Sequence, residues 1–435
     1  MTTSLDHTLW VERLSLTNFR SYDSVTLAAG PEPQVIAGPN GAGKTNLLEA
    51  LSLLSPGQGM RRAPFAELAR GGGDGGFAVA ARAHTLLGAA DIGTGLQASS
   101  VGLPSPRRGG AGGGANPQDR SPDFTPTPNP SARPLGSPLA GQGGGGFERE
   151  RSTIGRIVRI DGVAQSGSGI LADYLEIAWV TPAMDGLFTG PASERRRFLD
   201  RLILCFDPAY RTIAGRFERA MTSRNRLLSD GVREDAQLAG FERVMAETGI
   251  AVAAARLEAV SAMAAVVTDR KVRDPNSAFP WSDFHIEGGT EDSLTGRPAV
   301  EAEDAYARTL RDTRERDRAA SRTLDGPHRS DLSVTHGPKQ IAARLCSTGE
   351  QKALLLGLVL AHAELLTARQ EGASPILLLD EITAHLDAER RAALFDEILR
   401  LKAQAWLTGT DASAFAALVN RAQFWRVEDA KVIPA

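Results

Sequence analysis

In the first hundred residues apolar and polar positions change over in short runs broken by Gly, Pro and Asn, which predicts strands rather than helices. Residues 10–19 alternate, 24–27 form a brief run, and 34–37 read as a buried strand leading into a Gly-rich turn. A helix from 45 to about 54 follows, then a break at Pro56 and Gly57. Further strands are expected at 77–87, 91–98, 154–160 and 175–180, with Asp161-Gly162 as a turn. The period then lengthens to that of a helix. Residues 193–228 predict an Arg-rich helix, 249–268 an Ala-rich helix apolar on most faces, and 300–318 a charged one. In the last third strands and helices alternate again: helix 349–369, buried strand 375–379, helix 388–401, strand 404–407 and a hairpin over 424–433. This predicts one α/β unit assembled from both ends of the chain, residues 1–190 and 326–435, around an inserted, mainly helical arm at 191–325.

Composition changes this picture in one place. Between residues 100 and 146, 26 of 47 positions are Gly, Pro or Ser, and large apolar side chains are nearly absent. Such a stretch cannot offset the entropy of ordering, so a flexible, disordered insert is expected at about 99–147. The remainder, in a chain of 435 residues that is 42% hydrophobic, has enough apolar surface for a sizeable core. Two cysteines, Cys205 and Cys346, exclude a disulfide framework and a Cys-based zinc site. The longest apolar run, 353–361, is half a membrane span, and the first ten residues lack a signal-peptide pattern. A cytoplasmic protein without a membrane partner is expected. The formal charge of −3 argues weakly against nucleic acid. Yet residues 193–226 hold nine Arg against four acids, and the planar guanidinium suits phosphate. Arg195, Arg196, Arg197, Arg211, Arg216 and Arg224 are candidate phosphate contacts, tracking backbone rather than reading bases if the partner is DNA, and the alternative is a solvated helix face with internal ion pairs. The alternating charges of 311–322 read as a solvated helix face.

The candidate chemistry lies in three short motifs. Gly38-Pro39-Asn40-Gly41-Ala42-Gly43-Lys44-Thr45 fits the phosphate-binding pattern G-x-x-x-x-G-K-[ST] between a strand and a helix. Its backbone N–H groups and the helix N-terminus cradle phosphates, Lys44 reaches the β- and γ-phosphates of ATP, and the Thr45 hydroxyl binds Mg²⁺. Lys stands at only six positions in the chain, which makes Lys44 hard to dismiss as accident. Residues 376–379 are a buried strand that ends in Asp380 and Glu381, where α/β sheets place ligands. Asp380 suits the metal ion and Glu381 the general base. Finally, Ser347-Thr348-Gly349-Glu350-Gln351 opens the long apolar helix that leads into the acid-bearing strand.

This order of motifs resembles the ABC class of ATPases. There the signature loop, here Ser347, Gly349 and Glu350, caps the nucleotide of a second subunit, and Ala384-His385-Leu386-Asp387 is similar to the D-loop that lies across the same interface. The resemblance narrows to the RecF family of bacterial recombination mediators. It is carried by residues 16–20 (Leu-Thr-Asn-Phe-Arg), 38–45, 190–200 (Gly-Pro-Ala-Ser-Glu-Arg-Arg-Arg-Phe-Leu-Asp), 326–332 (Gly-Pro-His-Arg-Ser-Asp-Leu) and 347–387. It implies an ABC-type P-loop ATPase head and a weak, DNA-stimulated ATPase that forms an ATP-dependent homodimer on double-stranded DNA and single-/double-strand junctions. By the same resemblance the partners are RecR and RecO, and the outcome is RecA loading and SOS induction. The chain departs from the family in its enlarged hairpin and in Glu381, where many members have Asp. No switch histidine follows the 404–407 strand; Thr408-Gly409-Thr410-Asp411 takes its place, and the γ-phosphate sensor stays open. So does the Q-loop glutamine, expected near Thr181–Asp185, with Gln34 and Gln58 poorly placed. His328 and Arg329 either meet DNA or structure the lobe boundary. The rival expectation is an SMC-like architectural head without a mediator role, but no sustained heptad pattern lies between Lys44 and Ser347.

Overall fold

The computed structural model describes residues 9–97, 155–231, 235–275 and 277–435; the insert expected at about 99–147 lies outside them. The strands, in chain order, begin with β1 (Trp10–Phe19), β2 (Tyr22–Ala28), β3 (Gln34–Ala37), β4 (Phe77–Thr85) and β5 (Gly88–Leu96). They continue with β6 (Ile157–Ile160), β7 (Val163–Ala164), β8 (Ile177–Val180), β9 (Ser282–Glu287) and β10 (Asp331–His336). The last five are β11 (Ile341–Ala342), β12 (Ile376–Leu379), β13 (Ala405–Gly409), β14 (Gln423–Glu428) and β15 (Lys431–Pro434). Helices are α1 (Lys44–Ser52), α2 (Ala192–Phe206), α3 (Tyr210–Ser229), α4 (Asp235–Arg273), α5 (Gly289–Leu294), α6 (Ala299–Asp312), α7 (Arg314–Ala319), α8 (Thr348–Arg369) and α9 (Ala388–Arg400).

The central sheet runs β15-β14-β3-β13-β12-β8, with β14, β3, β13, β12 and β8 parallel and β15 antiparallel. Strands β3, β13, β12 and β8 are buried on both faces, as their unbroken apolar runs predict. Leu377, Leu379, Leu407 and Val180 point into one core with α2, α4, α8 and α9. Ile376, Leu378, Trp406 and Ile36 point into a second core with α1 and the antiparallel sheet β2-β1-β4-β5-β6-β7. Each fully buried leucine contributes about 1.5–3 kcal/mol. The two ends of the chain are also pinned by polar groups. Buried Gln404 donates to the Val11 carbonyl at 3.0 Å and accepts from the Val11 N–H at 2.9 Å. Gln34 accepts from the Trp425 indole N–H at 2.9 Å, a structural role that removes it as a Q-loop candidate.

The arm differs from expectation in four respects, one being that the charged helix expected over 300–318 breaks at Thr313 into α6 and α7, with Asp317 buried rather than on a solvated face. The helix expected over 193–228 is two helices, because Pro208 cannot continue α2 and the Asp207 carboxylate accepts from the backbone N–H groups of Ala209 and Tyr210. The helix expected at 249–268 extends over all 39 residues of α4. And β9, unforeseen, pairs with β10 to form the sheet β11-β10-β9, so the arm exchanges a strand with the segment that follows it. A small core of Phe217, Met245, Ile250, Tyr306 and Leu310 joins α3, α4 and α6. Among the described residues two helices, α4 and α8, are long and apolar enough to cross a membrane; most of the apolar stretch of α8 is buried inside the molecule.

Candidate functional site

Three adjacent strand ends supply one hydrogen-bonded group. β3 delivers the Gly38–Gly43 loop, β13 delivers Thr408 and Gly409, and β12 delivers Asp380. Gly43, at φ +114°, is tolerated by no side chain: a Cβ there would stand 2.7 Å from the Tyr22 hydroxyl, which itself donates to the Gly43 carbonyl. Lys44 is buried and its ammonium donates to the loop carbonyls of Gly38 and Pro39 at 2.7 and 2.8 Å. Burial lowers its pKa, while Glu381 and Asp380 act in the opposite direction.

The Thr45 hydroxyl donates to Asp380 Oδ1 at 2.9 Å, and the Thr408 hydroxyl donates to the same oxygen at 2.7 Å. Thr408 Oγ1 in turn accepts from the Glu381 backbone N–H at 2.8 Å. Burial raises the Asp380 carboxyl pKa even against those two hydrogen bonds. A buried carboxylate beside a threonine hydroxyl is a hard-oxygen donor set that fits a Mg²⁺-type ion, and such an ion would relieve the desolvation. Glu381 sits at φ +48°, an uncommon conformation for a glutamate. Thr408 thus stands where the sequence left the sensor open.

The signature segment forms a second group. Ser347 caps α8 in a reciprocal capping box with Glu350: the Glu350 N–H donates to Ser347 Oγ, and Glu350 Oε2 accepts from the Ser347 N–H at 2.9 Å. Glu350 also pairs with Lys339, and these partners hold its pKa down at about 2. Both Glu350 carboxylate oxygens serve the cap and Lys339, while Ser347 stays exposed. Gly349 packs against the D-loop, where a Cβ would meet the His385 carbonyl at 2.6 Å. Asp387 caps α9 by accepting from the Arg390 N–H at 2.8 Å. A residue that sequence reasoning missed, Lys352, reaches from α8 to the Glu381 carbonyl; its signal was a scarce lysine inside an apolar helix.

The six candidate arginines separate sharply. Arg224 is wholly buried, with Glu242 at 3.1 Å, Asp317 at 2.8 Å and the Leu310 carbonyl at 2.6 Å, and it cannot touch DNA. Arg195 is corrected too: it forms a two-pronged pair with Asp331 at 2.7 and 2.8 Å and donates to the Gly190 carbonyl, joining α2 to β10. Arg196 is half-buried and donates to the Ser330 carbonyl. Arg197, Arg211 and Arg216 remain exposed. His328 is structural, its Nε2 against the Thr323 carbonyl at 3.0 Å.

A parallel sheet that brings a Gly-rich phosphate loop, a metal-type carboxylate and a polar hydroxyl together at adjacent strand ends, beside an antiparallel sheet, defines a P-loop ATPase head. A family model described as an AAA domain matches residues 13–65. The chain is 46% identical over 424 residues to the DNA replication and repair protein RecF of Mesorhizobium japonicum, covering 98% of this chain and 97% of that one. It belongs to the RecF family of DNA replication and repair proteins. Its fold is similar to that of the recombination mediator protein RecF-ATP of the RecFOR pathway, with a TM-score of 0.75 and 18% identity across 100% of both chains. It is also similar to a Pyrococcus furiosus Smc head domain, with a TM-score of 0.50 and 14% identity, covering 98% of this chain and 96% of that one.

Proposed function

We propose that the chain is an ATP-switched, DNA-binding ATPase of recombinational repair that dimerises around ATP. The observation that carries this reading is the hydrogen-bonded run Thr45–Asp380–Thr408–Glu381, which gathers metal-type oxygens and an acid beside Lys44. In this reading the backbone N–H groups of Gly38, Pro39, Asn40, Gly41, Ala42 and Gly43 surround the phosphates. Lys44 exchanges its loop carbonyls for phosphate oxygens. Thr45 and Asp380 hold Mg²⁺, which supplies charge neutralisation on the phosphates. Glu381 takes the proton of the attacking water as ATP goes to ADP and phosphate. Ser347 and Gly349 face the nucleotide of the second copy, with Asp387 along the same interface.

Dimerisation closes a clamp on duplex DNA at single-/double-strand junctions, with Arg197, Arg211 and Arg216 on phosphates, and hydrolysis reopens it. The family's relatives are named for replication and repair, and the solved relative for the RecFOR pathway. RecR and RecO as partners, RecA loading with SOS induction as the outcome, and the cytoplasm as the compartment complete the proposal. Sedimentation with ATP, with and without duplex DNA, tests it. Wild type and Glu381→Gln should dimerise with ATP, the latter persistently; Lys44→Ala and Ser347→Arg should stay monomeric. A Glu381→Gln chain that remains monomeric with ATP while wild type dimerises defeats the clamp.

A further inference from the structure

Lys352 lies in the interior, only 1% exposed, five residues into the chain from the cap Ser347. A buried ammonium needs strong partners. It has two: its Nζ donates to the Glu381 backbone carbonyl at 3.0 Å and lies 3.4 Å from Asp185 Oδ2. The Glu381 carbonyl is the shorter contact, and Asp185, 31% exposed on its side chain, is the charged one. The shorter one falls on the very peptide whose residue adopts φ +48°. With Thr408 Oγ1 on the Glu381 N–H, both backbone polar groups flanking this side chain are held by named side chains. Asp185 follows β8 and Glu381 follows the neighbouring β12, so one ammonium spans two strand ends and the signature helix.

We infer that Lys352 is a positioning residue: it holds the Glu381 backbone in its left-handed conformation and ties the first turns of α8 to the hydrolytic acid, with Asp185 steadying its head. This rests on the reading of Glu381 as general base. The consequence is directional. Ser347 and Gly349 lie roughly 7.5 and 4.5 Å along the helix axis from Lys352. A displacement of α8, when a second copy's nucleotide docks on them, is delivered to the acid of this copy's own site.

The test is steady-state ATP hydrolysis with duplex DNA, with nucleotide affinity measured separately, for wild type, Lys352→Met, Lys352→Arg, Asp185→Asn and Glu381→Gln. Lys352→Met should lower kcat at least tenfold and leave ATP affinity within twofold, and Lys352→Arg should recover much of the loss by restoring a donor. Wild-type kcat in Lys352→Met, or a parallel fall in kcat and affinity that Lys352→Arg does not rescue, overturns the inference. Should Lys352→Met fail to fold, Asp185→Asn decides: a severalfold fall in kcat at unchanged affinity supports the inference, and an unchanged kcat overturns it. The base reading fails separately, through a Glu381→Gln chain that hydrolyses ATP at the wild-type rate.

Discussion

Arg224 lies in the most basic stretch of the chain and has no exposed surface, because its guanidinium fork is spent on Glu242, Asp317, Thr323 and the Leu310 carbonyl. Removing Arg224 takes the short ion pair from buried Asp317 and leaves Glu242 with Arg314 alone, at a cost of about 3–5 kcal/mol. Arg224→Ala should therefore lower the free energy of unfolding by that amount, read as a lower denaturant midpoint, while the folded fraction keeps its DNA affinity; an unchanged midpoint contradicts the structural role. Glu176 supplies the pH test at this scale. Burial raises its pKa to about 8, and its Oε2 has no partner. The native chain keeps this proton up to about pH 8, whereas an unfolded chain releases it near the ordinary 4.5. Its contribution to stability is complete below that lower value and is lost as pH rises through about 8. Between about pH 5 and 8 the Tm of wild type should fall relative to that of Glu176→Gln, in which the difference cancels all other titrations. Parallel Tm curves for the two chains reject the assignment.

Among elements, the signature segment and the 384–387 loop approach each other closely at Gly349. A methyl on Gly349 would reach within 2.6 Å of the His385 carbonyl, and that atom is backbone, so the loops must part. Gly349→Ala is thus expected to abolish ATP-driven dimerisation in sedimentation while ATP binding at Lys44 stays within twofold. Retained dimerisation shows that the close approach is dispensable. The central strands were readable in the sequence because both faces are buried and their runs are unbroken, as in Ile376–Leu379. The phosphate loop was readable because its function sits in contiguous backbone. What escaped depends on distant pairing. β9 and β10 are separated by 43 residues, and the alternation in Ser282–Glu287 gains meaning only once Leu332 and Val334 lie opposite. Thr408 was visible in position, but its role is set by Asp380 and Glu381, on another strand. Lys352 was invisible for the same reason.

For the whole molecule, the net charge of −3 conceals a sorting of arginines that only the fold performs. Arg195 and Arg224 neutralise interior acids, whereas Arg197, Arg211 and Arg216 of α2 and α3 face solvent, Arg216 with a loose 3.6 Å contact to Glu247. At about 1.5 Å per residue, α4 extends about 58 Å, far short of the long coiled coil of an SMC-like architectural protein. A short arm with exposed arginines is suited to following phosphates on one stretch of duplex. Each phosphate contact displaces condensed counterions, so the logarithm of affinity falls with the logarithm of salt by about 0.9 per contact. Exchanging Arg197, Arg211 and Arg216 together for alanine should weaken duplex binding in ATP and flatten that slope by about 2–3, with little dependence on base sequence. Arg195→Ala, matched in charge change to one of those substitutions, should leave the slope alone, because its guanidinium is already committed to Asp331. A triple variant with the wild-type slope would move the DNA surface off this arm, and a slope change in Arg195→Ala would mean that the Asp331 pair opens when DNA arrives.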